Sequence, residues 1–567
     1  MQLEQTATLE RYRVAALAVL AYLLAVAGTV SIGMWTIDWQ LVYPLDDTYI
    51  HLSTARTLAD HGLWSAVPTE PSSPSSSVLW TLILAGADAV GLLGKWTPLA
   101  INTVLGVVTV FVADRILRVR FPRLGERQRF GLLAALILAA SLSVQTVVGM
   151  EHALQILAAI LLVETGVGTI LERSAPDETF AHALPPALIW VFAPLLVAVR
   201  FEAAFLVLPV CILLAWYIRF VEGFALGIAS MLPVGAFAMY STSVGNYPLP
   251  NSILLKTDAV GIAERASFVD NVLINLLSSP LPVMILMLTG FMLANGTFSQ
   301  IAKRRAASPT AVAAIIVSLG VALQLLLAST GWLYRYEAYL LGVAFVFFGP
   351  YVMLEFGDAL EGKVSPKLFR VGKWVVVATI VTRMGVAHFD TVRAMKDRYL
   401  EHLLPVEFVT EYFPEAPIMV NDLGLPAWHH EGKVVDVFGL GSNKPIEMRL
   451  SDDGYTRQDV FDWARDEGVV LAIHQVEWPF VFDHVPEQWE VVAFWRVPRN
   501  VVFGDRIVGF FATDEATRED VHRHMRTFVD ERLPDSVETK FYEPGEMTFE
   551  KFIEGAKNMG DGARRRP

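Results

Sequence analysis

The chain reads as a polytopic α-helical membrane protein with a C-terminal, water-facing α/β domain, and three observations carry that reading. It is 54% hydrophobic and only 18% charged, with a mean hydropathy of +0.45, whereas soluble domains sit near about 45–50% apolar and about a quarter charged. Apolar runs of the length needed to cross a bilayer recur through the first 387 residues. The net charge of −13 is confined to the remainder: from His388 onward there are 34 acidic and 21 basic residues, against 24 of each before it. A transmembrane domain is therefore expected over 1–387 and a soluble domain over 388–567. Nucleic acid is excluded as a partner of so acidic a domain, since it demands a basic surface. The single cysteine, Cys211, excludes an intrachain disulfide and a cysteine metal cluster.

Arg11 and Arg13 precede a first apolar helix from Val14 to Trp35, too long for a signal-peptide core. Further spans are expected near 98–117, 130–148, 153–171, 187–199, 203–219, 224–243, 281–294, 310–329, 337–355 and 371–387, about eleven in all. Cations crowd three loops: Arg115 to Arg129, Lys303 to Arg305, and Lys363 to Lys373. All three fall on the side of the N-terminus, which the positive-inside rule makes cytoplasmic. The segment 77–94 is expected to lie at the outer interface as an interfacial helix. Counting it as a span would place the six-arginine loop outside, and it carries Asp88. The first external loop then runs 36–97, the membrane is the cytoplasmic one, and the C-terminal domain is extracytoplasmic. In that domain helices are expected over Thr391–Leu404, Tyr455–Glu467 and Ala516–Leu533. Strands are expected over Ile418–Asn421, Val434–Phe438, Val469–His474, Val491–Val497 and Val501–Phe511, in a small, mostly parallel sheet.

With this topology, polar clusters from distant parts of the chain share the outer face: Asp46-Asp47, Met150-Glu151-His152, Arg200-Phe201-Glu202, Pro248 to Lys256, and Tyr334-Arg335-Tyr336. Adjacent carboxylates raise one another's pKa, which poises one of them as a proton acceptor. The alternative is that both cap a helix from Thr48 to Asp60. Lys256 stands where an ammonium suits a lipid phosphate, and Asn251 is placed to cap the segment after Pro250. Arg200 with Glu202, and Glu151, are either structural ion pairs or part of a substrate path. Arg335 between two tyrosines suits phosphate or sugar, the alternative being that the aromatics here belong to the belt at the membrane interface. His152 reads as a satisfied imidazole, and His429-His430 lack a convincing metal set. Phe438-Gly439-Leu440-Gly441 lacks the third glycine of a dinucleotide cradle.

These motifs, in this order, resemble the GT-C superfamily of integral membrane glycosyltransferases. Its members, the protein O-mannosyltransferases and the aminoarabinose transferase of lipid A among them, carry an acidic pair in the first external loop. The motif pattern is most similar to that of the mycobacterial terminal arabinofuranosyltransferases. It is carried here by Asp46-Asp47-Thr48-Tyr49-Ile50, His61-Gly62-Leu63, Ser76-Ser77-Val78-Leu79-Trp80-Thr81, Gly149-Met150-Glu151, Arg200-Phe201-Glu202-Ala203 and Leu249-Pro250-Asn251-Ser252 through Lys256. Val78 and Phe201 replace prolines of that pattern, Ala203 a glycine and His152 a threonine, so arabinose is not carried over as the donor sugar.

The resemblance implies a GT-C-type glycosyltransferase, hexosyl or pentosyl, that moves a sugar from a polyprenyl-phosphate donor to an acceptor hydroxyl outside the membrane. The acceptor would be a cell-envelope glycan, a lipid or a protein. Asp46 would deprotonate the acceptor, and Asp47 would orient it or bind a donor hydroxyl. Lys256, with Arg200 or Arg335, would offset charge on the departing lipid phosphate. Tyr49, Asn251, Glu151 and Glu202 complete the substrate-binding set. No cofactor beyond the lipid-linked donor is required, and a divalent metal stays open. The rival reading is a transporter, lipid-handling or scaffold protein. Against transport stand spans nearly free of charge and the lack of an internal repeat.

Overall fold

Each of the eleven apolar segments falls on a helix in the computed structural model, which describes residues 2–174, 180–217, 220–255, 268–292, 308–354, 365–451, 454–476, 478, 483–498, 500–501, 506–543 and 551. Among the described residues, seven helices are long and apolar enough to cross a membrane: Tyr12–Trp35, Thr97–Arg120, Glu126–Val148, His152–Ser174, Phe220–Ser243, Pro309–Leu327 and Arg370–Tyr412. A bent pair, Val272–Ser278 with Pro280–Gly290, makes an eighth if it forms one span. The other expected spans are shorter apolar helices, Pro186–Val199, Phe201–Tyr217 and Ala338–Leu354. Arg200, in extended backbone, separates the first two of these. The helix Val78–Ala89 has 12 residues, about 18 Å at 1.5 Å per residue, too short for a hydrocarbon core of about 30 Å. Lys256, Lys303, Arg304, Arg305 and Lys363 lie outside the described residues.

The helix His152–Ser174 runs through the middle of the membrane domain, apolar on all sides and almost wholly buried. Its one buried carboxylate, Glu164, is matched by Arg120 Nε at 3.0 Å, as a buried charge requires. Asp47–His61 packs between Val78–Ala89 and Gly424–His429, and so forms the joint between the membrane domain and the C-terminal sheet. It ends as glycine-capped helices do, with Gly62 in the left-handed region (φ 70°) and its N–H on Leu58 O.

The last long helix, Pro366–Arg398, runs through residue 388 and passes by a π-helical turn, Tyr399–Leu403, into Leu404–Tyr412. The composition break at 388 therefore falls inside one continuous rod. Beyond it lie, among the described residues, six strands: β1 (Ile418–Val420), β2 (Val434–Asp436), β3 (Leu471–Gln475), β4 (Glu490–Arg496), β5 (Ile507–Ala512) and β6 (Glu538–Phe541), ordered β2-β1-β3-β5-β4-β6. β1 pairs parallel with β2 and β3, as expected from the intervening helices, but the other three pairings are antiparallel. The sheet is thus mixed rather than mostly parallel. The ten residues from Val497 to Arg506 are too few for a parallel crossover, which takes a dozen or more, so β4 and β5 return on each other. β6 escaped the sequence reading because its run, Glu-Thr-Lys-Phe, is polar and half exposed.

Candidate active site

Asp46 and Asp47 both sit at the start of the helix Asp47–His61, yet neighbouring positions send them to different surroundings. Asp46 occupies the cap position but makes no side-chain cap. It is 4% exposed, and its carboxylate turns to the C-terminal domain, where Oδ1 accepts the Leu425 N–H at 2.9 Å and Oδ2 accepts the Gly424 N–H. Burial, and then the nearby Asp422 carboxylate, push the Asp46 pKa well above its ordinary value. Asp422 itself is held by Arg398 Nη1 at 2.9 Å and His402 Nε2 at 2.7 Å. Burial alone would raise its pKa, but His402 and Arg398 outweigh burial and keep Asp422 ionised well below the usual carboxylate range. Of the two carboxyls, Asp46 is thus the one whose neutral form its surroundings favour.

Asp47 faces the other way. Its side chain is 41% exposed and lies 2.7 Å from Arg335 Nη1. Arg335 is presented by an unusual turn: Gly331, Trp332, Leu333 and Tyr334 all have left-handed φ, of 82°, 47°, 57° and 59°. Three side-chain-bearing residues in that region cost about 1–2 kcal/mol each. The turn is held from three sides. Gln145 Nε2 donates to Leu333 O at 3.1 Å. Glu337 Oε2 accepts the Gly331 N–H at 2.9 Å. Arg383 grips Glu337 Oε1 at 2.8 Å and lies 4.7 Å over the Tyr334 ring. Arg335 is 5% exposed, and its Nε has no hydrogen-bond partner among the described residues. A buried, unmatched guanidinium N–H carries a desolvation penalty that an anionic ligand would relieve.

Next to this pair stands a buried charge chain. Arg200 Nη1 donates to Glu151 Oε1 at 2.5 Å and Arg200 Nε to Glu202 Oε1 at 2.5 Å. Glu151 Oε2 lies 3.3 Å from His51 Nε2, and His51 Nδ1 is 3.1 Å from Ser75 Oγ. Burial would raise the Glu151 pKa, but Arg200 and His51 overcome it and hold the carboxyl well below its ordinary value. Tyr336 joins the two arginines, its ring 4.9 Å from the Arg335 and 5.8 Å from the Arg200 guanidinium carbon. The glycine of Gly149-Met150-Glu151 has φ 80°, and a methyl there would overlap the Tyr43 ring. That close approach carries Glu151 under the first loop, with Thr48 Oγ1 donating to Val148 O at 2.7 Å.

The structure thus gathers Asp47, Glu151, Arg200, Glu202 and Arg335 into one connected polar group. Asn251 and Tyr49 go elsewhere. Asn251 does not act as a cap: it is the first residue of the short helix Asn251–Leu254, and its Nδ2 donates to Gly439 O at 2.9 Å and Asn443 Oδ1 at 3.0 Å. With its N–H on Ser73 O at 2.7 Å, it ties the serine-rich loop to the C-terminal domain. Tyr49 is 2% exposed and its hydroxyl accepts the Tyr43 N–H at 3.0 Å, so it supports the loop from beneath. His152 is buried with Nδ1 3.2 Å from Gln155 Oε1, and His430 Nε2 lies 2.8 Å from Ala416 O. Phe438 to Gly441 wraps the Asp436 carboxylate, which accepts the N–H of Phe438 at 2.8 Å and of Gly441 at 2.7 Å. Sequence reasoning missed Asp422, Arg398, His402, His51, Glu337 and Arg383. Arg398 and His402 do show the spacing of four that places two side chains on one helix face, but nothing local joins them to Asp422. Among the described residues no group of three or more His, Cys, Asp or Glu side chains is arranged to hold a metal ion.

Comparison with known proteins bears on the fold. Residues 394–515 match a family model described as a domain of unknown function, DUF8728. No curated protein matches the chain. Among solved structures, the chain is similar to ArnT from Cupriavidus metallidurans in the apo state, at 15% identity and a TM-score of 0.50, covering 87% of this chain and 98% of that one. ArnT bound to undecaprenyl phosphate matches at the same identity and coverage with a TM-score of 0.48. An oligosaccharyltransferase from Archaeoglobus fulgidus, tethered to an acceptor peptide, matches at 12% identity and a TM-score of 0.49, over 96% of this chain and 77% of that one. The chain is a multi-pass membrane protein with a GT-C-like fold, shared with ArnT, and a C-terminal sheet domain.

Proposed function

We propose that the protein transfers a sugar from a polyprenyl-phosphate donor to an acceptor hydroxyl at the extracytoplasmic face of the cytoplasmic membrane. The observation that carries this reading is the pairing of a half-open carboxylate, Asp47, with a buried arginine, Arg335, whose Nε is unmatched. Asp47 takes the proton of the acceptor hydroxyl, that oxygen forms the new bond to the anomeric carbon, and the bond from that carbon to the phosphate oxygen breaks. Arg335, backed by Arg200, offsets the charge left on the lipid phosphate. Lys256, the residue that follows the described segment 220–255, is kept as a second candidate cation for the lipid phosphate. The carrier chemistry is carried over from the undecaprenyl phosphate on which ArnT was solved. The base is assigned to Asp47, since both Asp46 oxygens are engaged by main-chain N–H groups while the Asp47 side chain is 41% exposed.

Transfer by the purified protein, using native-host membranes as the source of donor and acceptor, tests this. Asp47→Asn is expected to lower kcat by about 10²-fold or more, the range for a lost general base, and Arg335→Gln to weaken both donor binding and turnover. Asp46→Asn is expected to keep measurable transfer. Full activity in Asp47→Asn refutes the assignment of the base, and no transfer by the wild type with any polyprenyl-phosphate sugar refutes the reading as a whole.

A further inference from the structure

The Asp46 carboxylate reaches Gly424 and Leu425 across 378 and 379 residues of chain. At the same point Asp422, Arg398 and His402 close in from the C-terminal domain and its connecting helix. A methyl group on Gly424 would overlap the Asp46 carbonyl and carboxylate oxygens, so backbone meets backbone with no room for a side chain. This is a built junction, all of whose C-terminal components lie within the region matched by the family of unknown function, 394–515.

We propose that Asp422 is a positioning residue for the first-loop site: braced by Arg398 and His402, it clamps the first loop to Gly424-Leu425 through Asp46, and so fixes where the adjacent Asp47 points. The inference rests on the sugar-transfer reading for its functional consequence. Its geometry stands apart from that reading. Two carboxylates in contact in a buried site hold a single negative charge between them, because both cannot ionise without strong repulsion. Arg398 and His402 stabilise that charge on Asp422, which favours the neutral form of Asp46, its oxygens turned to the Gly424 and Leu425 N–H groups. The charged and titratable groups that act on Asp46 are Asp422 and Arg398 from the C-terminal side and Tyr49 on its own helix; Asp47, next in the chain, points away to Arg335. Because Asp47 is the following residue, a slip of the clamp rotates the start of the helix and moves the base. A displacement of about 1 Å at a reacting group costs about 10²-fold in rate.

The test uses the full-length protein in lipid nanodiscs with two readouts. The first, hydrogen exchange of a peptide spanning Gly424 and Leu425, needs no substrate. Exchange is expected to speed up by about tenfold or more in Asp422→Ala, the factor one charge-assisted hydrogen bond is worth. It is expected to return close to wild type in Asp422→Asn, whose amide donates to Asp46 while the pair keeps one negative charge. The second readout is transfer across pH. Asp422→Ala is expected to lower kcat by about 10- to 100-fold with KM for the lipid donor changed by less than about threefold, since Arg335 and Arg200 are untouched. In the wild type, activity falls on the alkaline side as Asp46 gives up its proton against Asp422; in Asp422→Asn that fall disappears. Unchanged exchange in Asp422→Ala overturns the clamp. Equal loss of kcat in Asp422→Ala and Asp422→Asn, with the alkaline limb retained, overturns the single charge held by the pair. Should the wild type transfer no sugar, the functional reading fails and the exchange comparison alone still decides the clamp.

Discussion

Replacing Glu151 removes the central carboxylate of the buried chain, and the cost follows from its surroundings. Glu151 is 0% exposed, with Arg200 at 2.5 Å and His51 at 3.3 Å. With charge centres about 4 Å apart and an effective dielectric of about 20, the Arg200 attraction is about 4 kcal/mol. Glu151→Ala strands Arg200, which keeps only the more exposed Glu202, and breaking one partner of a buried pair typically costs about 3–5 kcal/mol. Removing both partners leaves no stranded charge between them. The double variant Glu151→Ala/Arg200→Met is therefore expected to lose about 2 kcal/mol less than the sum of the single losses. Reversible unfolding by SDS in mixed micelles reads all four corners of the cycle. Losses that add to within about 0.5 kcal/mol, the range for independent sites, would refute the claim that these charges hold each other in a water-excluded site.

Three further outcomes are expected. Gly149→Ala forces a side chain into left-handed backbone and onto the Tyr43 ring, and should cost about 2 kcal/mol or more, with transfer lost in parallel; wild-type unfolding in the same SDS titration would show the packing to be loose. Asp436 is buried and its pKa is raised to about 6, chiefly by burial. A carboxyl whose folded pKa lies above its unfolded value contributes stability that is present below about pH 4 and lost as pH rises through 6, up to about 3 kcal/mol at about 1.4 kcal/mol per unit; Asp436→Asn should flatten that part of the profile, and an unaltered slope would assign it to another group. Glu337→Gln weakens the grip of Arg383 on the left-handed turn, so the KM for the lipid donor should rise at least about threefold, with the fold retained by circular dichroism; an unchanged KM would mean that the turn stands without it.

Local pattern determined a good deal of this protein. Hydropathy locates the apolar helices, because a helix in hydrocarbon must be apolar along its length, but among the described residues only seven of them, or eight with the bent pair, are long enough to cross. The strands β1 and β3 are continuous apolar runs and were legible as such, whereas polar β6 was not. The alternation of cation-rich and cation-poor loops also grouped Asp46-Asp47, Gly149-Met150-Glu151, Arg200 and Arg335 on one face, and the structure brings Asp47, Glu151, Arg200 and Arg335 together. Composition could not show that the helix Pro366–Arg398 continues past residue 388, because the end of a membrane segment is not the end of a helix.

Packing between distant segments is what sets apart two identical side chains in adjacent positions. Asp46 and Asp47 have the same chemistry and the same local sequence. One is buried against main-chain N–H groups nearly 380 residues away, while the other is left half open beside Arg335. A carboxylate's pKa and its hydrogen-bond partners are set by whatever lies within a few ångströms in space, and those neighbours, Asp422, Arg398, His402 and Arg335, come from segments that no local periodicity connects. Local composition and spacing located the apolar helices and the polar clusters between them. The packing of the C-terminal domain onto the first loop sets which of the two carboxylates is clamped against main-chain N–H groups and which stays half open beside Arg335.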